Sequence, residues 1–191
     1  MNQNLQKKKG LVQDVFNKVY NKYDLMNDIM SMGIHRLWKR DMINWLSPSP
    51  NKKLIDMACG TGDVGKIFLE STNYEGKVLF VDPNSKMLKK AIDRFKKNNK
   101  LSWKKGSAEK IPAPNNYFDY YCISFGLRNT KNINKSLKEA YRVLKPGGRF
   151  LCLEFSKIQN YQLNMLYKNY SKIIPHIGKI VVGKKEPYEY L

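Results

Sequence analysis

A doubly wound α/β sheet behind an N-terminal helical cap is the fold that this 191-residue sequence predicts. Short apolar runs suited to buried strands alternate with stretches of helical apolar spacing, the pattern of parallel strands joined by right-handed crossovers. The first run breaks at a glycine turn, Gly60-Thr61-Gly62, and the second ends in an acid, Asp82. Two strand tips, one glycine turn and an acid describe a nucleoside-cofactor cleft.

The elements follow in order. Residues 11–46 read as helices: Val12, Val15, Phe16, Val19, Tyr20 and Tyr23 make one face, and Leu37, Trp38, Met42 and Trp45 resume the spacing. Ser47-Pro-Ser-Pro50 closes the cap, and Lys53 opens the first strand. After the glycine loop a short helix is expected over Val64–Glu70, a strand over Val78–Val81, and an amphipathic helix over Asn84–Lys97 using Met87, Leu88, Ala91, Ile92 and Phe95. A short strand about Ser102–Lys104 leads to the turn Gly106–Glu109 and a loop bearing Pro112 and Pro114. Phe118–Ser124 reads as the fourth strand, Lys135–Leu144 as a helix stopped by Pro146-Gly147-Gly148, and Arg149–Glu154 as the fifth strand. Leu163, Leu166, Tyr167, Tyr170 and Ile173 mark a last helix that Pro175 should end. The expected organisation is one domain over 1–191: a cap (1–50), a cofactor-binding core (51–157) and a C-terminal helix and tail (158–191).

Gly60-x-Gly62-x-x-Gly65 also satisfies the dinucleotide fingerprint, and Asp56 separates the two cofactors. A carboxylate at the first strand's tip would face the pyrophosphate of NAD, a like-charge contact that is unfavourable by about several kcal/mol. S-adenosylmethionine instead brings an ammonium and a sulfonium, which an acidic strand end attracts. Asp82, beyond Gly62, is positioned to accept hydrogen bonds from ribose hydroxyls.

The net charge is +19, with positive excess in every quarter of the chain. That spread fits biased composition better than a nucleic-acid surface, and it leaves attraction to anionic headgroups open. No apolar stretch reaches a membrane span, and Lys7-Lys-Lys9 is not followed by the apolar region of a signal peptide. Cys59, Cys122 and Cys152 lie in or beside expected strands and read as small buried residues rather than disulfide partners. His35 and His176 have no partner at ligand spacing, so no metal site is expected.

Asp56-Met-Ala-Cys-Gly-Thr-Gly-Asp63, Asp82, Ser124-Phe-Gly-Leu-Arg-Asn129 and Tyr141-Arg-Val-Leu-Lys-Pro-Gly-Gly-Arg149 together resemble the class I S-adenosylmethionine methyltransferases. Lys22-Tyr-Asp-Leu-Met-Asn-Asp28, Gly33-Ile-His-Arg-Leu-Trp-Lys-Arg40 and Leu153-Glu-Phe-Ser-Lys157 are similar to one branch, the ubiquinone and menaquinone biosynthesis C-methyltransferases (UbiE/MenG). The resemblance implies a Rossmann-like methyltransferase sheet and methylation of a ring carbon on a polyprenylated benzoquinol or naphthoquinol. It implies that Thr61 contacts the methionine part of the cofactor, Asp82 the ribose, and that Ser107 and Ala108 sit beside the adenine with Ser124 near the cofactor; Asp56, Gly60 and Gly62 are expected to line the same site. Ser107 stands where the family more often has Asn or Asp. The family's pattern also continues past Leu191 through two closing strands, so the fifth strand is expected to form a bare edge.

Methyl transfer to a ring carbon needs the neighbouring hydroxyl ionised, and hence a cation or base near that oxygen. Arg128 is the candidate, with Asn129 as a further donor and Tyr23 orienting the ring. The competing readings are a salt-bridging arginine and a core tyrosine. His35 reads as structural, with nothing in the sequence to fix its position, and Met26, Met30 and Met32 as core filling or a prenyl channel. The rival functions are an RNA-modifying methyltransferase and a non-catalytic cofactor- or partner-binding subunit. The expected setting is cytoplasmic, with peripheral membrane contact open (on the matrix side in a mitochondrion), no nucleic acid, and an oligomer allowed.

Overall fold

The computed structural model describes residues 23–95, 99–156 and 158–182, with the side chains of Tyr23, Met26 and 173–182 outside the description. The helical face expected over Val12–Tyr20 therefore lies outside the described residues. The chain divides into two compact units, Leu37–Glu154 and a smaller one formed by Met1–Arg36 with Phe155–Leu191.

The larger unit is built on five parallel strands in the order β3-β2-β1-β4-β5. They are β1 (Lys53–Met57), β2 (Lys77–Asp82), β3 (Leu101–Lys105), β4 (Phe118–Ser124) and β5 (Leu144–Leu153). Helices α3 (Asp63–Ser71), α4 (Ser85–Arg94) and α5 (Ile133–Val143) make the crossovers, and α2 (His35–Leu46) precedes β1. The central strands are mostly apolar in their interiors because both faces are covered, with Asp56, Asp82 and Ser124 at or near their C-terminal tips. Strand alternation sends Leu54, Val78, Phe80, Tyr120 and Cys122 into one core with Phe68, Leu69, Ile43 and Leu46. It sends Ile55, Met57, Leu79, Val81, Tyr121 and Ile123 into the other, with Ala140 and Val143 of α5. Gly65 brings α3 onto β2: a Cβ there would stand 2.2 Å from the Phe80 ring.

In the smaller unit α1 (Tyr23–Ser31) packs with α6 (Tyr161–Val182), where the Tyr170 hydroxyl donates to the Ile29 carbonyl. Asp28 meets His35 Nε2 at 2.9 Å and accepts from the Arg36 guanidinium, which holds its pKa down to about 2. His35 is thus buried and fixed by Asp28, contrary to the expectation that nothing fixes it.

Four further expectations need correction. The last helix does not stop at Pro175 but runs from Tyr161 to Val182, so the penalty of an interior proline, a lost i→i−4 bond and a tendency to kink, is absorbed within the helix. Phe95 leaves α4 in an extended conformation at its C-cap, and its ring packs against Phe80 and Trp103. Leu144 already pairs with Phe118, and pairing resumes with Arg149 opposite Tyr120, so Pro146-Gly147-Gly148 is an irregularity inside β5 and not the stop of a helix. Cys152 is exposed, because β5 has no strand on its outer side among the described residues.

Candidate active site

Five parallel strands deliver their C-terminal tips to one edge, and the order reverses between β1 and β4, where ligands of such sheets bind. Asp56, one residue inside the tip of β1, turns its carboxylate under the glycine loop and accepts the Gly65 N–H at 3.0 Å. Asp82 ends β2 and accepts the N–H groups of Gly60 at 2.9 Å and Asn84 at 2.7 Å. Gly60 and Gly62 take the left-handed conformations that this loop requires. Burial pushes the Asp56 pKa up to about 7 and that of Asp82 up to about 6. Two desolvated acids, hydrogen-bonded through backbone N–H groups, favour a cation or hydroxyl donors and disfavour a diphosphate.

Asp63 behaves differently. Burial alone would raise its pKa, but Lys39 of α2, 2.8 Å away, and Arg94 of α4 outweigh it and hold the carboxyl well below its usual range. Arg94 also donates to the Thr61 carbonyl at 3.2 Å. One carboxylate at the start of α3 therefore ties α2, α4 and the glycine loop together. Sequence reasoning missed this cluster. Lys39 recurs on the buried face with His35, Met42, Ile43 and Leu46, a spacing that could have revealed it.

The other expected cofactor residues lie at the same edge. Thr61 is buried within the loop, and Ala108 is buried in the turn after β3. Ser107 in that turn accepts the Lys110 N–H on its carbonyl. Ser124 Oγ, at the end of β4, is buried without a hydrogen-bond partner among the described residues. An orphaned hydroxyl beside a glycine cradle and two high-pKa acids fits a polar, cationic nucleoside ligand.

Arg128 and Asn129 occupy a 3₁₀ turn, Leu127–Asn129, beyond β4. Glu154, just past β5, accepts both the Arg128 backbone N–H at 3.2 Å and its guanidinium. Glu154 carries no role that the sequence predicts. Asn129 Nδ2 donates to the Phe125 carbonyl at 3.4 Å. Tyr23 opens α1 in the smaller unit, and its side chain lies outside the described residues. No group of three His, Cys, Asp or Glu able to hold a metal occurs among the described residues.

A parallel sheet ordered in this way, with a glycine turn after β1, buried acids at the tips of β1 and β2 and a hydroxyl ending β4 that has no partner among the described residues, fits an S-adenosylmethionine-dependent methyltransferase. Solved structures agree on the fold. A candidate S-adenosylmethionine-dependent methyltransferase of Methanococcus maripaludis superposes with a TM-score of 0.63 at 17% identity, covering 84% of this chain and 72% of that one. A SAM-dependent methyltransferase of Aquifex aeolicus gives 0.59 at 16% identity, covering 76% and 87%. The sequence matches the profile of the ubiE/COQ5 methyltransferase family over residues 2–191. It is 49% identical to the ubiquinone/menaquinone biosynthesis C-methyltransferase UbiE of Rickettsia akari, across 97% of this chain and 77% of that protein. For the UbiE of Brucella abortus the identity is 46%, across 96% and 71%. This chain belongs to the ubiE/COQ5 methyltransferase family, and with it to the S-adenosylmethionine-dependent C-methyltransferases of ubiquinone and menaquinone biosynthesis.

Proposed function

We propose that this protein methylates a ring carbon of a polyprenylated benzoquinol or naphthoquinol, and that Arg128 holds the ring oxyanion while Asp56, Gly60, Thr61, Gly62, Asp82, Ser107, Ala108 and Ser124 hold the cofactor. The observation that carries the reading is the convergence of Asp82, the unpartnered Ser124 hydroxyl and the Arg128 turn on one edge of one sheet. When bound, S-adenosylmethionine supplies an electrophilic methyl group on a sulfonium.

The chain's own residues supply position and charge. Asp82 accepts ribose hydroxyls on lone pairs beyond those used by Gly60 and Asn84. Asp56, drawn to its ionised form, complements the ligand's positive charge from beneath the loop. Arg128 stabilises the quinolate that makes the adjacent carbon nucleophilic, and it orders a water that takes the proton. Its guanidinium carries five donors in a fork, so Glu154 can anchor it while it serves the oxyanion. Asn129, and from the sequence alone Tyr23, are the remaining candidates for orienting the acceptor.

A lipophilic acceptor calls for peripheral membrane contact, supported by the +19 charge and by exposed Leu37 and Trp45 on α2. No helix among the described residues is long and apolar enough to cross a membrane. Incubation with methyl-labelled cofactor and a short-chain prenylated quinol, followed by mass spectrometry, tests the function. One labelled methyl on a ring carbon is expected, and label on added RNA with none on quinol would overturn the assignment.

A further inference from the structure

Phe125 follows the last residue of β4 with φ of +54°. A bulky side chain rarely adopts this left-handed conformation, which Gly or Asn would take with little strain. The surroundings enforce it. The Phe125 N–H donates to the Leu153 carbonyl at 2.8 Å, and its carbonyl accepts from Asn129. The next residue, Gly126, lies so close to Ala58 that a Cβ would stand 2.6 Å from the Ala58 methyl carbon. Ala58, just past β1, is itself left-handed with φ of +53°. Two non-glycine residues are thus held in strained conformations on the neighbouring tips of β1 and β4, and strain of this kind gathers at functional sites.

The strain positions an aromatic ring. The Phe125 ring lies 6.4 Å from that of Trp38 at 59°, and the Arg128 guanidinium carbon lies 6.0 Å from its centroid. Trp38 is 36% exposed and Phe125 is half-buried, so neither is core filling. Two aromatic faces beside an anchored cation match a flat ring bearing an oxygen: the ring packs on the aromatics and the oxygen meets the guanidinium. Adenine is the other flat ring at hand, but its expected residues, Ser107 and Ala108, follow β3, on the far side of β2 and β1 from β4.

We propose that Phe125 and Trp38 form the shelf on which the acceptor's aromatic ring lies, with the strained backbone of Phe125 setting that ring beside Arg128. The proposal rests on the quinol-methylating reading and assigns two ring-binding residues within it.

The chain has three tryptophans, so Trp45→Phe with Trp103→Phe leaves Trp38 as the only indole. That variant, loaded with demethylated cofactor to prevent turnover, is titrated with a short-chain prenylated hydroquinone lacking one ring methyl. Saturable quenching of Trp38 emission is expected. Phe125→Ala should raise the acceptor KM about tenfold or more, with cofactor affinity within about twofold of the parent, and Phe125→Tyr should recover most of the loss. Phe125→Gly relieves the strained backbone, so it should melt no lower than the parent while losing acceptor affinity as Phe125→Ala does. A purely structural phenylalanine would show the reverse, with lowered melting and an unchanged acceptor KM. Normal quinol methylation with unchanged KM in Phe125→Ala, or Trp38 emission indifferent to a saturating acceptor, overturns the shelf alone. Cofactor binding with no quinol methylated by the parent protein overturns the function, and the shelf with it.

Discussion

If Asp56 complements the bound cofactor as proposed, it should link binding to a proton. Its carboxyl is fully enclosed, accepts one backbone N–H from Gly65, and is pushed by burial up to about 7. Near neutral pH a large fraction of the empty protein therefore carries this group protonated. A ligand bearing a sulfonium and an ammonium favours the ionised form, so binding should draw the pKa down and release the proton. If the bound value falls to about 5 or below, affinity should be about tenfold weaker at about pH 6 than at about pH 8. Asp82, raised to about 6, adds roughly a factor of two in the same direction. Titration calorimetry in two buffers of different ionisation enthalpy should show roughly half a proton released per ligand near pH 7. Asp56→Asn should bind more weakly at high pH and lose most of the slope. Stability follows the same sign. A carboxyl with a raised folded-state pKa binds more protons folded than unfolded, so the ligand-free protein loses this contribution as pH climbs from about 4 to about 7. The melting gain on adding cofactor should therefore grow over that range. Affinity independent of pH, with no proton released, would refute the coupling and leave Asp56 as a clamp on Gly65 alone.

Arg128→Ala should lower turnover by about 10²–10³ with little change in cofactor affinity, and the loss should shrink as pH approaches about 10, where a phenol ionises unaided. Steady-state rates across pH test it, and unchanged turnover in a folded variant would pass the role to Tyr23 or Asn129. Asp82→Ala should weaken S-adenosylmethionine and its demethylated product alike, by about 1–3 kcal/mol in calorimetry; tight NAD binding in the parent protein would contradict the cofactor assignment. Asp63→Asn leaves the buried Lys39 ammonium and Arg94 without their shared partner, so urea unfolding should show a loss of about 3 kcal/mol. A loss below about 0.5 kcal/mol would mean that the cluster is effectively solvated.

Much of the sheet was legible because its strands are buried on both faces. Runs such as Val78–Val81 and Tyr120–Ile123 have no amphipathic alternation to misread, and Gly60 and Asp82 mark the strand tips. The junction of α5 and β5 was misread because Pro-Gly-Gly commonly ends a helix, whereas here Leu144 turns extended at once and the three residues sit within the strand. Partnerships across distant segments left weaker traces. Glu154 reaches Arg128 across 26 residues, and no local spacing encodes that contact. The left-handed backbone at Phe125 was invisible for the opposite reason: the residue that would have signalled it, Gly or Asn, is absent there.

The strand order also divides the folding problem. β1, β2 and β3 are neighbours in both sequence and space, each joined to the next by a single crossover, whereas β1 pairs with β4 from Leu54–Tyr120 to Met57–Ile123, across a far longer stretch of chain. Closing that seam is the most distant strand pairing among the described residues, and its loop entropy opposes assembly until β4 and β5 begin to add contacts. The edge that carries Asp82, Ser107 and Ala108, proposed here for the ribose and adenine, is thus specified by nearly local contacts, while the β4 lip that carries Phe125 and Arg128 depends on long-range closure. On that proposed assignment, chain topology separates the two reactants' binding surfaces by contact order as well as by position.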